Sequence, residues 1–307
     1  ACDSSGNLYI AGQYTKIATI ESQDGTYIST LPNVYGQAAF VSKFDSNGVY
    51  QYSRIVDSTS TTADYGYGVA CDSSGNLYFA GQYATAAPTI KDQNANILGT
   101  LPESLGSAVA FVSKFDSSGV YQYSRTVDGT GNDVGYGVAC DSSGNMYFGG
   151  SYVTASATIR AVNSSNVVSN VGTLPVPSAS AAFVCKFNSS GTYQNSFIVE
   201  VTSQNDVVYS IACDSSNNVY FGGYYRYQNI SLPNVITVNT SNVSTVVATL
   251  PTSTGSSSDA AFVCKFNSSG TYQYSRIVEG TSTSEYCQSI ACDSSGNMYF
   301  GGYYGTA

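Results

Sequence analysis

"GYGVACDSSGNLYFAG", residues Gly66–Gly81, decides the fold. Apolar and polar residues alternate up to Asp72, the chain turns through Ser73, Ser74, Gly75 and Asn76, and alternation resumes at Leu77 and Phe79. Period-two alternation on both sides of a turn predicts a β-hairpin. The Asp72 carboxylate can cap the N–H groups of the turn, and Gly75 can take the left-handed conformation a short loop needs. A second stretch, "AFVSKFDSSGVYQYSRTV" (Ala110–Val127), turns through the same Asp-Ser-Ser-Gly. Two hairpins in series give a unit of four strands, A to D.

Both phrases repeat. The first begins at Ala1, Ala70, Ala139, Ala212 and Ala291, and the second, starting at Ala38, occurs only four times. The array 1–307 therefore reads as one repeat domain with units 1–69, 70–138, 139–211 and 212–290 and a surplus half-unit, 291–307. From Phe40, Phe111, Phe183 and Phe262 to the next phrase's cysteine the spacing is 31, 29, 30 and 30 residues. From Gly12, Gly81, Gly150 and Gly223 to the same phenylalanines it is 28, 30, 33 and 39. All length variation thus lies between strands B and C, where a β-prone run and a Thr-Leu-Pro at Thr30, Thr100, Thr173 and Thr249 predict an extra irregular hairpin. The expected fold is all-β: a β-propeller-type array of four full units, each with a B–C hairpin insertion, plus a surplus C-terminal hairpin. A β-solenoid is the competing architecture, with shorter rungs and no paired tight hairpins.

The residues "DYGYGVACDSSGNLYFAG" (Asp64–Gly81) and "AFVSKFDSSGVYQYSR" (Ala110–Arg125) resemble the bacterial secreted β-propeller repeat family known as SBBP. The pattern of that family has a Gly-Tyr-Gly-Ile-Ala lead-in, Asp-Ser-Ser-Gly-Asn-Val-Tyr, then Ala-Phe-Val-Ala-Lys and a Tyr-Ser pair. The resemblance covers about two thirds of each unit and fails in the B–C insertion. It implies a secreted or surface building module and says little about activity. Cys71 and its equivalents stand where the family usually has Val, and there are four full units where the family is associated with larger rings.

Composition narrows the function classes. Charged residues make up 10%, Trp and His are absent, and there are 27 Tyr. The formal charge of −9 and pI near 4.3 argue against nucleic acid or an anionic membrane surface as partner. Seven of the eleven cations, Lys43, Lys114, Lys186, Lys265, Arg54, Arg125 and Arg276, recur by repeat position and read as scaffold, while Phe197 replaces the arginine in the third unit. No run of about 20 apolar residues predicts a membrane span. The missing initiator Met and signal peptide lead us to expect a processed product or a window of a longer chain.

Five of the eight cysteines, Cys2, Cys71, Cys140, Cys213 and Cys292, are equivalent strand-A residues, and Cys185, Cys264 and Cys287 replace Ser or Gly elsewhere. Without short Cys spacings no zinc site is expected, and small buried hydrophobes are favoured over a bridge between Cys185 or Cys264 and a strand-A cysteine. Asp-Ser-Ser-Gly-Asn lacks the second carboxylate and closing Glu of a calcium loop and reads as a turn. Neither metal nor cofactor is expected. Sequons at Asn163, Asn188, Asn229, Asn239, Asn242 and Asn267 are glycosylation candidates. Asn188 and Asn267, in C–D turns, are expected on one face and the other four on the opposite face. With no His, no nucleophile motif and carboxylates (Asp57, Asp128, Glu200, Glu279) that simply recur, no catalytic residue is nominated and the chain is not expected to be an enzyme.

Two functions follow. The first is an extracellular or cell-surface structural protein that self-assembles head-to-tail into a filament or layer, its surplus hairpin completing the first unit of the next copy. Ala1, Cys2, Cys292, Tyr299, Tyr303 and Tyr304 are the assembly candidates, copies of itself and attached glycans the partners. The second is a carbohydrate-binding lectin or adhesin, with Tyr14, Tyr83, Tyr152 and Tyr224 offering one pocket per unit unless they pack unit against unit.

Overall fold

Turn chemistry sets the local structure. The computed structural model describes residues 1–58, 63–84, 87–153, 155–201, 205–226, 232–251, 259–280 and 284–305. Asp72 Oδ1 accepts from Ser74 N and Asn76 N, each at 3.0 Å, and Gly75 N donates to Asp72 O with the glycine at φ 75°. Asp45, Asp116, Asn188 and Asn267 cap the C–D turns in the same way. In the fourth A–B turn Asn217 takes the glycine's place at φ 62°. The described residues are all-β, and repeated sheets follow from these repeated turns.

The chain divides into two compact bodies, residues 1–128 with 132–135 and 160–170, and residues 129–131, 136–159 and 171–307. In the first body, strands Leu8–Thr15, Gln37–Phe44 and Tyr50–Asp57 (B, C and D of unit one) form a sheet that continues into Thr89–Asp92 and Ile97–Thr100. These last two strands are the B–C insertion of unit two. The next sheet runs Tyr65–Cys71, Leu77–Ala84, Ala108–Phe115, Tyr121–Asp128 and then the insertion hairpin of unit three, whose residues 160–170 lie in this body.

The second body repeats the plan. Met146–Val153, Ser180–Phe187 and Tyr193–Glu200 are followed by Asn234–Asn239 and Ser244–Thr249, the insertion of unit four. Val207–Cys213, Val219–Arg226, Asp259–Phe266 and Tyr272–Val278 form a four-stranded sheet, and the surplus hairpin, Tyr286–Cys292 with Met298–Tyr303, packs on its first two strands. None of these sheets closes on itself.

The insertion is therefore a hairpin, as its composition predicts, but it completes the preceding unit's sheet by pairing with that unit's strand D. Its apolar residue plugs the core there. Ile90, fully buried, shares a cluster with Val56, Phe79, Tyr83 and Leu101, and Val235 does the same with Val199, Phe221, Tyr225 and Leu250 in the second body.

Candidate functional site: the sheet edges

The insertions of units two, three and four lie on the preceding strand D through backbone pairing, and those of units two and three are also held by charge. Asp57, Val56, Ile55 and Arg54 pair with Thr89, Ile90, Lys91 and Asp92, and Glu200, Val199, Ile198 and Phe197 pair with Asn234, Val235, Ile236 and Thr237. Positions two apart share a face of the sheet, which brings Lys91 Nζ to Asp57 Oδ2 at 2.5 Å. Arg160 Nη2 reaches Asp128 Oδ2 at 2.7 Å from the equivalent position. Burial raises the pKa of Asp128, and the Arg160 guanidinium opposes that shift. Arg54 adds a bond from Nη1 to Gln93 Oε1 at 3.3 Å.

Two further devices join successive units. Lys43 Nζ donates to Ser117 O at 2.9 Å, and Arg54 Nε donates to Gly119 O at 2.7 Å, so both cations seize carbonyls of the next C–D turn. Lys186 does the same to Ser268 O at 2.8 Å. Each lysine lies over aromatic rings, Lys43 over Tyr9 and Tyr52 and Lys186 over Tyr147. These are the cations that recur along the sequence.

Tyr14, Tyr83, Tyr152 and Tyr225 donate their hydroxyls to Pro32, Pro102, Pro175 and Pro251 carbonyls at the insertion exits, at 2.7 to 3.0 Å. Of the set nominated for sugar stacking, Tyr14, Tyr83 and Tyr152 are thus buried beneath the insertions, while Tyr224 is half-buried against Tyr209 and Tyr286. Tyr224 also stands one residue out of register, because Tyr225 is the equivalent of Tyr83. Sequence comparison slipped here because unit four has two consecutive tyrosines.

Of the assembly candidates, Ala1 and Cys2 form a stub of strand A. The Ala1 ammonium donates to Tyr9 O at 3.0 Å, and Cys2 bridges Leu8. Cys292 ends the surplus strand A, half-buried. Tyr299 is 60% exposed, Tyr303 50% and Tyr304 73%, whereas Tyr78, Tyr147 and Tyr220, equivalent to Tyr299, are buried. At the other end Leu8 is 41% and Ile10 46% exposed, while their equivalents Leu77 and Phe79 are fully buried.

The sequon asparagines are turn caps. Asn163, Asn188, Asn239 and Asn267 accept backbone N–H bonds through Oδ1, and Asn242, at φ 60°, accepts from Thr173 N at 2.8 Å. Glycans attach through the other amide atom, Nδ2. Asn229 lies outside the described residues. The expected split between two faces is overturned: Asn239 pairs with Asn195, close to the Asn188 turn that opens the same strand D, so both turns are at one end of the sheet. The insertion folds back along strand D, which the linear order of strands does not reveal.

All eight cysteines are free thiols, with Cys185, Cys264 and Cys287 buried and Cys2 alone exposed. Cys185 and Cys264 make hydrogen bonds with Ser196 and Ser275 across the strands, and no bridge to a strand-A cysteine forms. Burial pushes Cys71, Cys185 and Cys264 up to about 12 and Cys287 and Cys292 up to about 11. Among the described residues no helix is long and apolar enough to cross a membrane.

One further motif escaped sequence reading. Asp64, just before strand A, is buried and binds Ser58 N, Ser58 Oγ and Ala84 N, and Asp206 binds Val201 N and Arg226 N. Each fastens the D-to-A connection to the end of strand B. A carboxylate at the same offset, Asp133 and Glu285, was the available signal.

No protein-family profile matches the chain. It is similar to an uncharacterized WD repeat-containing protein of Acanthamoeba polyphaga mimivirus, 28% identical over 182 residues. The match takes in 55% of this chain and 13% of that protein, so the chain spans a small part of its relative's length. A solved structure described as the eukaryotic initiation factor aligns with 88% of this chain and 97% of its own at 8% identity and a TM-score of 0.15, too low to bear on the fold. The WD repeats of the viral protein and the repeated sheets here are consistent with a β-propeller-type repeat.

Proposed function

We propose that the chain is a non-enzymatic β-propeller-type structural protein whose copies join head-to-tail into a surface filament or layer. One observation carries this reading. Inside the chain, Tyr9 of one sheet packs in a common core with Leu77 and Phe79 of the next. Tyr299, at the Tyr9 position of the surplus hairpin, and Leu8 and Ile10, at the Leu77 and Phe79 positions of unit one, are the exposed halves of that same contact. Joining them between copies buries both faces through a heterologous contact, which makes a filament if its rotation does not close. The extracellular setting rests on the turn-borne sequons.

Sedimentation velocity and negative-stain electron microscopy over a concentration series test the reading. Growth into polymers is expected, and deletion of residues 288–307 should leave monomers. Polymers that persist after this deletion, or a full chain that stays monomeric at every concentration, would refute it.

A further inference from the structure

The open edge of strand Tyr272–Val278, beside the surplus hairpin, differs from the Tyr299 face used in the joint proposed above. The D strands of units one and three pair with an inserted hairpin, and Tyr272–Val278 closes its sheet with no strand beyond it among the described residues. Val278 is 42% exposed where Val56 and Val199 are buried. Beside it lies a cleft of about 120 Å³ lined by Ala261, Val278, Phe300 and Tyr304 among others. In unit one the equivalents of these four, Ala39, Val56, Phe79 and Tyr83, share a core with Ile90 of the inserted hairpin. The cleft therefore has the lining of the socket that Ile90 fills beside unit one.

Other recognition groups of the unit-one joint are present. Arg276 stands where Arg54 does and Glu279 where Asp57 does. Arg276 is exposed, lying over Tyr274 at 4.4 Å, and Tyr304 occupies the position of Tyr83, whose hydroxyl bonds the proline carbonyl at the hairpin exit. In the unit-one register Arg276, Ile277, Val278 and Glu279 face residues equivalent to Asp92, Lys91, Ile90 and Thr89. We propose that this edge binds a β-hairpin that carries a Thr-Ile-Lys/Arg strand, with the cation on Glu279, the isoleucine in the cleft and the backbone extending the sheet. The chain's own unpaired insertion, Ala18–Glu21 with Tyr27–Leu31, is selected against. It has Glu21 where the bound hairpins have Lys91, Arg160 and the uncharged Ile236, and that places a carboxylate on Glu279.

A fluorescent peptide of residues 87–102, linear and backbone-cyclised, titrated with the whole chain is the test. Saturable one-site binding is expected, with amide-exchange protection appearing on residues 272–278. A Lys91→Glu peptide should bind about tenfold more weakly or worse, and a peptide of residues 17–32 should also be weak. Glu279→Lys in the chain should reverse the preference between the Lys91 and Lys91→Glu peptides. No binding of either form of the parent peptide at ~1 mM overturns the proposal, as does equal binding of the Lys91→Glu or 17–32 peptides. Because the surplus-hairpin joint is read by sedimentation, its failure and the failure of this edge are separable.

Discussion

Ile20 and Ile90 occupy the same position in successive insertions, each after a threonine, yet of the two only Ile90 enters the sheet of a preceding unit. Ile90 is 0% exposed in the cluster with Val56, Phe79, Tyr83 and Leu101, while Ile20 is half-buried against its own unit near Leu31 and Ala38. Replacing Ile90 by Ala removes three buried carbons at about 0.8 kcal/mol each and leaves a cavity in a core walled by two aromatic rings, for a total of about 3 kcal/mol. Ile20→Ala removes the same atoms from a site that water already reaches and should cost about 1 kcal/mol. Native-state amide exchange resolves the difference strand by strand. In Ile90→Ala, amides of Tyr50–Asp57 should exchange about 100-fold faster, because the insertion leaves that edge at a correspondingly lower opening energy. Ile20→Ala should leave those amides unchanged. Equal costs for the two variants, or faster exchange spread evenly over the chain, would refute the view that the insertion belongs energetically to the preceding sheet.

Burial, offset in part by bonds from Ser58 and Ala84, raises Asp64 to about 6 from its ordinary 3.8, so between pH 4 and pH 6 the folded chain holds a proton the unfolded chain lacks. Stability should fall by about 3 kcal/mol as pH rises through that window and level off above it. Urea midpoints across the window, compared with those of Asp64→Asn, measure this; a midpoint that rises from pH 4 to pH 6 would contradict it. For the thiols, a disulfide-exchange reagent at pH 8 should label Cys2 quickly and the other seven only on unfolding, since burial holds most of them protonated. Rapid native labelling at Cys71 or Cys185, read by peptide mass mapping, would count against the packing described.

Strands and turns were legible because Asp-Ser-Ser-Gly states its own geometry: the aspartate cap and the positive φ of Gly75 are local properties of five residues. The existence and variable length of the B–C hairpin were legible for the same reason. Its destination was not, because pairing Thr89–Asp92 with Arg54–Asp57 depends on residues more than thirty positions apart and in different repeats. A trace did exist. Of the four cations outside the periodic set, Lys16, Lys91, Arg160 and Arg226, two lie in insertions and meet the recurrent Asp57 and Asp128 of the preceding unit. For Tyr14, Tyr83 and Tyr152 the sequence left sugar stacking and packing both open, since whether a hydroxyl faces a sugar or a proline carbonyl depends on what covers it.

The hairpin that finishes one sheet emerges well after the sheet itself. Strand D of unit one ends at Asp57, and the strands that complete it run to Thr100. At roughly 5–20 residues per second of synthesis, about forty residues correspond to a wait of roughly two to eight seconds. Throughout that interval the ribosome-bound chain carries an apolar socket and an unpaired backbone edge, and each later unit resolves the debt of its predecessor while opening one of its own. A pause or frameshift inside an insertion would therefore damage the sheet already made upstream of it, so the quality of each unit is decided by the translation of the next.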